Sequence, residues 1–135
     1  MNVEVSNGEI ADKVSILMIK AQKIHDPDKM KNIAEELEAL SVAFGQIVGH
    51  PSDVFKKEGI WELFFSLKNI NEKLWNIEDK IREKEKNKQF DAEFIELARS
   101  VYMTNDKRSK IKAEINKTSH SRLLEEKSYS DYLSQ

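Results

Sequence analysis

Between Gly59 and Asn87 the chain runs without a single internal glycine or proline. Over that stretch Ile60, Leu63, Phe64, Leu67, Ile70, Leu74, Ile77 and Ile81 recur three and four residues apart. Such spacing lines one side of an α-helix and cannot line a strand, whose side chains alternate. It predicts one unbroken helix about 40 Å long, at about 1.5 Å per residue. The rest of the chain is equally poor in breakers, with four glycines and two prolines in 135 residues. A sandwich or barrel of many short strands needs turn residues roughly every 8–12 positions, so both are excluded. Disorder is excluded too, because Leu, Ile, Val and Phe return throughout at core spacing.

The same reading predicts three further helices. Residues 1–5 form an extended lead-in, and Ser6-Asn7-Gly8-Glu9 matches a capping box with Ser6 as N-cap and Glu9 reaching back. Helix one runs to about His25 with Ile10, Val14, Leu17, Ala21 and Ile24 as its stripe. Asp26-Pro27 stops it and caps the next helix, with Pro27 in the first turn. That second helix carries Met30, Ile33, Leu37, Leu40, Phe44 and Ile47 and ends at Gly49-His50-Pro51. The loop 49–58 is expected to hold a short turn of helix around Asp53 to Lys57. Asp91 caps the fourth helix, with Phe90 stapled onto Ile95 and Phe94, Leu97, Ala98, Val101, Ile111 and Ile115 inward. The expectation is an all-α, antiparallel bundle of four main helices near 9–25, 27–47, 59–87 and 92–117. It forms one domain over 1–135. The short polar tail 119–135 packs partly back through Leu123, Leu124, Tyr129, Tyr132 and Leu133, with Ser134 and Gln135 loose. Helix three outruns helix one, and Trp61, Phe65 and Trp75 widen its apolar face, so residues 59–87 are a candidate homodimer surface.

With no cysteine in the chain, disulfides, thiolate metal sites and cysteine nucleophiles are excluded. The opening MNVEVSNGE has no apolar core of a secretory signal, and the longest apolar run, Ile16 to Ile19, is far too short to span a membrane. A cytoplasmic protein without membrane insertion is expected, and Asn116-Lys117-Thr118 is a chance sequon. Net charge is −2, but residues 1–79 carry 9 basic and 14 acidic side chains while residues 80–117 carry 11 and 7. That basic bias is weaker than nucleic-acid binders show, so no nucleic-acid partner is expected.

Most catalytic patterns fail on inspection. His25, His50 and His120 never pair at helical spacing, which removes a histidine metal site. No Glu-x-x-His motif, Gly-rich phosphate loop or nucleophile elbow occurs. Glu35-Glu36-Leu37-Glu38 offers half of the paired acidic motif of the helical nucleoside-triphosphate pyrophosphatases, but Glu72, Glu78 and Asp79 do not complete it. No cofactor, metal or catalytic residue is assigned. What stands out is polar residues at inward positions: Thr104, Asn105 and Arg108 between Val101 and Ile111, Lys13 and Lys20 flanking Leu17, and Asn71, Glu78 and Arg82 beside Leu74 and Ile77. A buried charge needs a partner. These groups, with Glu9 and Asp12 at the start of helix one, form either a structural salt-bridge seam or a ligand-binding cleft. Arg108 is expected to bond Glu78, Glu9 or Asp12, with Lys13 or Lys20 nearby.

Several stretches carry a resemblance. They are Val5-Ser6-Asn7-Gly8-Glu9 with Asp12-Lys13 and Ile16-Leu17-x-Ile19-Lys20; Leu74 to Arg82; and Ala98-Arg99-x-Val101-Tyr102-x-Thr104-Asn105-Asp106-x-Arg108. Lys112-x-x-Ile115-Asn116 and Glu125-Glu126-Lys127-Ser128-Tyr129 complete the set. Together they resemble a small, uncharacterised family of bacterial helical proteins found near glycosyltransferase and lipopolysaccharide-assembly genes. The resemblance implies a role in surface-glycan assembly and assigns no functional residues. Two functions are therefore carried forward. One is a non-catalytic accessory or binding protein, with itself or a glycosyltransferase as partner. The other is a small enzyme acting on an anionic substrate (phosphorylated, nucleotide-sugar or carboxylate), with Arg108, Lys20 and Arg82 gripping charge and Glu78 as acid or base.

Overall fold

The computed structural model describes residues 1–49, 59–128 and 130–132. It contains four helices, α1 (Asn7–Lys23), α2 (Pro27–Val48), α3 (Ile60–Lys86) and α4 (Ala92–Thr118), and no strand among the described residues. The all-α bundle is the observed fold. The expected turn at Asp53 to Lys57, and the expectations for Tyr129, Leu133, Ser134 and Gln135, lie outside the described residues.

Local chemistry sets each helix end. Ser6 caps α1 by accepting from the Glu9 amide at 3.2 Å. The reciprocal half of the capping box is not formed, because Glu9 turns its carboxylate to Lys112 on α4. Lys20 and Lys23 in the last turn answer the helix dipole. Pro27 opens α2, while Asp26 makes no side-chain cap bond. Asp91 caps α4 by accepting from the Phe94 amide at 3.0 Å. The expected staple of Phe90 on Ile95 is replaced by an edge-on contact between Phe90 and Phe94, centroids 5.3 Å apart. Phe90 and Ile95 both stay exposed.

Two helices end in a way that composition conceals. After α3, Gln89 N–H bonds the Lys84 carbonyl and Lys88 N–H the Glu85 carbonyl, with Lys88 at φ 53°. After α4, Ser121 N–H bonds Asn116 and His120 N–H bonds Lys117, with His120 at φ 56°. Both are Schellman endings in which a lysine and a histidine occupy the left-handed position usually held by glycine.

Helix α1 touches all three of the others, and α3 and α4 form the most extensive pair. Its burial is two-sided. Val14 and Leu17 belong to the predicted stripe and are buried, whereas Ala21 of that stripe is exposed. A second side, not predicted as a stripe, is also buried: Gly8, Ala11, Asp12, Ser15 and Ile19. At 100° per residue these five fall together, opposite Ile10, Val14, Leu17 and Ala21. Small side chains there let α3 and α4 approach closely. The main core gathers where α1 begins, α2 ends, α3 begins and α4 ends: Ala11, Val14, Ile47, Val48, Ile60, Phe64, Leu67 and Ile115. Phe44, Trp61 and Phe64 extend it as an aromatic cluster.

From Glu78 to Met103 no described residue is buried, so the turn end of the α3–α4 hairpin has no core of its own. The predicted α4 stripe is correspondingly shallow: Phe94, Leu97 and Val101 are half-buried and Ala98 is exposed. Much of the α3 face considered for dimerisation is used within the chain. Trp61 packs on Phe44 and Phe64, and Phe65, stacked on Trp61, remains about half exposed.

Candidate functional site

The small face of α1 places Asp12 where α1, α3 and α4 converge, and its side chain is 4% exposed. Arg108, from the polar gap in α4, reaches it with two donors. Nε–H donates to Asp12 Oδ1 at 2.9 Å, and Nη2–H donates to Oδ2. The planar fork of guanidinium matches a carboxylate in this two-point mode, which lysine cannot reproduce. From α3, Asn71 Nδ2 donates to the same Asp12 Oδ1 at 2.8 Å and to Ser15 Oγ at 2.8 Å. Ser15 in turn donates to the Asp12 carbonyl at 2.7 Å. Asn71 and Ser15 are buried, and Thr104 is buried one turn before Arg108. The result is a polar layer inside the bundle in which Asp12, Ser15, Asn71 and Arg108 are bonded to one another, as burial demands.

A second ion pair lies one turn away along α1. Lys112 donates to Glu9 and lies 4.0 Å from Asp12 Oδ2. Arg108 also donates to Asn105 Oδ1 in a long bond of 3.4 Å. The hydrogen bonds to Asp12 hold the Arg108 guanidinium still further above its usual range; burial opposes this, and the charges of Asp12, Glu9 and Glu78 add to it. Arg108 is thus a fixed cation at every accessible pH.

Of the eight candidate residues, Glu9, Asp12, Asn105 and Arg108 are brought together. The other four stand apart from that contact. Lys13 points to α2 and pairs with Glu36 at 3.4 Å, with both side chains about half exposed. Glu78 pairs with Arg82 at 3.7 Å along the surface of α3. Lys20 lines an open cleft of about 280 Å³ with Glu9, Asp12, Lys13, Leu17 and Glu36. Spacing alone did not single out Ser15, Lys112 or Asn116, although the last two sit in the quoted motifs. The available signal for Ser15 was the run of small residues Gly8, Ala11 and Ser15.

The α1 start is joined to α4 and the tail in the same style. Gly8 N–H donates to Asn116 Oδ1 at 2.6 Å and Asn7 N–H to Ser121 Oγ at 3.0 Å. Glu125 accepts from Ser6 and Asn116, and Arg122 pairs with Glu4. Tyr132 donates to Asp106 and packs edge-on against Tyr102. The tail does pack back, through these polar groups and Tyr132, with Leu123 half-buried; Leu124 of the expected set is 62% exposed.

Among the described residues no group of three acidic or histidine side chains could hold a metal ion. Among the described residues no helix is long and apolar enough to cross a membrane. The model of a family of unknown function, DUF6165, matches residues 1–135. The chain belongs to that family. No curated protein and no solved structure matches the chain. The DUF6165 fold in this chain is therefore argued from its own helices and the polar layer at Asp12.

Proposed function

We propose that this member of DUF6165 is a non-catalytic accessory or binding module of the cytoplasm, working in surface-glycan assembly as the sequence resemblance implies. The observation that carries the reading is the state of Asp12. A general acid or base must have a free position from which to exchange a proton with substrate. Asp12 has both oxygens engaged by Arg108 and a third donor in Asn71. Around it, Glu9 is matched by Lys112, Lys13 by Glu36 and Glu78 by Arg82. The buried Asp12 contact stabilises a shape, while the exposed Lys13–Glu36 and Glu78–Arg82 pairs contribute little to it. The module would then act by presenting its surface to a glycosyltransferase. Co-purification of a glycosyltransferase with the tagged chain supports this, and turnover of a nucleotide sugar by the isolated protein overturns it.

One observation favours the alternative, a small enzyme acting on an anionic substrate. The cleft of about 280 Å³ carries Lys13 and Lys20 on its wall with Glu9, Asp12 and Glu36; Lys13 pairs with Glu36, so Lys20 is the cation it offers a phosphate or carboxylate. A thermal-shift screen with sugar phosphates, nucleotides and carboxylates separates the readings, since a specific ligand raises the melting temperature by mass action. On the enzyme reading one of them stabilises the chain and Lys20→Ala abolishes the shift.

A further inference from the structure

Ser6 and Asn116 are 1% and 3% exposed, and each already accepts one bond from the start of α1. Ser6 Oγ takes the Glu9 amide at 3.2 Å, and Asn116 Oδ1 takes the Gly8 amide at 2.6 Å. Each also carries a donor that α1 does not use: the Ser6 hydroxyl hydrogen and the Asn116 Nδ2 group. The two donors converge on one place, and the α1 amides fix their direction. Buried donors without an acceptor are costly, and an ionised oxygen satisfies them best. Glu125 supplies that oxygen twice, with Oε1 accepting from Ser6 at 2.5 Å and Oε2 from Asn116 at 3.2 Å. Burial pushes the Glu125 carboxyl up, but the bonds from Ser6 and Asn116 and the charge of Lys112 outweigh it and hold the carboxyl below the usual glutamate range. This is not a bare helix terminus, because the amides of Asn7, Gly8 and Glu9 are all taken by side chains.

The cradle is built of buried parts, while residues 122 and 124–128 of the segment filling it are exposed. Arg122 pairs with Glu4 in open solvent, and such exposed pairs contribute little. Leu124 is largely exposed. A segment with so few apolar contacts opens locally far more readily than the helices beneath it. Hollows of about 270 and 420 Å³ flank Glu125 against α4; α4 contributes Lys110 and Lys112 to the first and Lys117 to the second, and the segment itself contributes Glu126 and Lys127. An incoming chain has both room and favourable charge there. The present occupant defines the shape required: residues 122–128 are neither helix nor strand, and the segment meets the Asn7 amide through Ser121.

We propose that Ser6 and Asn116 form a carboxylate-binding cradle which the chain's own residues 119–128 occupy through Glu125, and that a protein partner engages it by presenting an acidic side chain on a segment that is neither helix nor strand. The site lies eight residues beyond Arg108 on α4, about 12 Å at 1.5 Å per residue. It does not depend on what the Asp12 cleft binds.

The test is an NMR titration of the full chain carrying Glu125→Ala, with a synthetic peptide of residues 120–128 as probe. The peptide is expected to shift the Asn7, Gly8 and Glu9 amides and the Asn116 side-chain amide. The unaltered chain should bind about tenfold more weakly or worse, because its own segment competes for the cradle. A peptide carrying Glu125→Gln should lose the effect. Should Glu125→Ala fail to fold, Glu125→Gln, which keeps the shape, replaces it. Absence of shifts in the folded variant overturns the proposal, as does equal binding by both peptides. Sodium acetate at the same concentration reports the carboxylate alone, and shifts as large as the peptide's would overturn the part played by the segment. Hydrogen exchange of the unaltered chain is an independent check: residues 121–128 should exchange well before α1, and matched rates would contradict the opening.

Discussion

Arg108 on α4 grips both carboxylate oxygens of Asp12 on α1, across 96 residues of chain. The pair joins the first helix to the last, and Asn71 ties the same carboxylate to α3. We infer that a polar contact so placed sets which residues of three helices sit level with one another. Apolar packing alone tolerates sliding, whereas a buried charge has one acceptable partner.

The approach of α1 to α4 depends on Gly8. A Cβ there would lie 2.7 Å from the Lys112 carbonyl oxygen and 2.9 Å from Asn116 Oδ1. The first of these atoms is helix backbone and cannot swing aside. Gly8→Ala is expected to lower stability by about 1–3 kcal/mol, the usual cost of overpacking, despite the better helix propensity of alanine. Urea denaturation checks it; an unchanged or raised midpoint would contradict the close approach.

Lys88 makes the opposite prediction. It holds φ 53° in the exposed turn between α3 and α4, a conformation that costs a non-glycine residue about 1 kcal/mol. Lys88→Gly should therefore raise stability by up to about 1 kcal/mol, since its side chain makes only a surface pair with Glu85. Thermal unfolding by circular dichroism measures it, and a lowered melting temperature would count against the Schellman ending.

How much of this was readable in the sequence follows from where the physics is local. The helix boundaries were legible because caps and breakers act over a few residues, as at Ser6, Pro27 and Asp91. Arg108 was legible as a seam residue because a charge in an apolar register is conspicuous. The second buried face of α1 was not, because Gly8, Ala11 and Ser15 are small and carry almost no hydrophobic signal. Their burial is decided by how closely α3 and α4 approach, which is a tertiary fact. The turn at Lys88 and the Glu125 contacts were likewise hidden. In each, a common polar residue does what neither propensity nor spacing marks.

The acid side of the stability profile should report Glu125. Its folded pKa is depressed, so its contribution is present above the ordinary glutamate value of 4.5 and is lost as pH falls through the lower folded value. The charges around it are Lys112, Lys110, Lys127, Glu126 and Glu9. The stability difference between the unaltered chain and Glu125→Gln should be full at neutral pH and vanish in acid. A difference that grows as pH falls would reverse the assigned direction.

We infer that the Asp12 layer is a structural clamp. Although Arg108 is 29% exposed, its partner carboxylate is 4% exposed, and the cost of losing Arg108 falls on the buried partner. Urea denaturation of Arg108→Ala tests this most directly. The account predicts a loss of about 3–5 kcal/mol, the usual cost of orphaning a buried charge, with Arg108→Lys recovering only part of it. A loss below about 1 kcal/mol, the range of an exposed ion pair, would contradict the clamp and return Arg108 to the role of an open ligand-binding group.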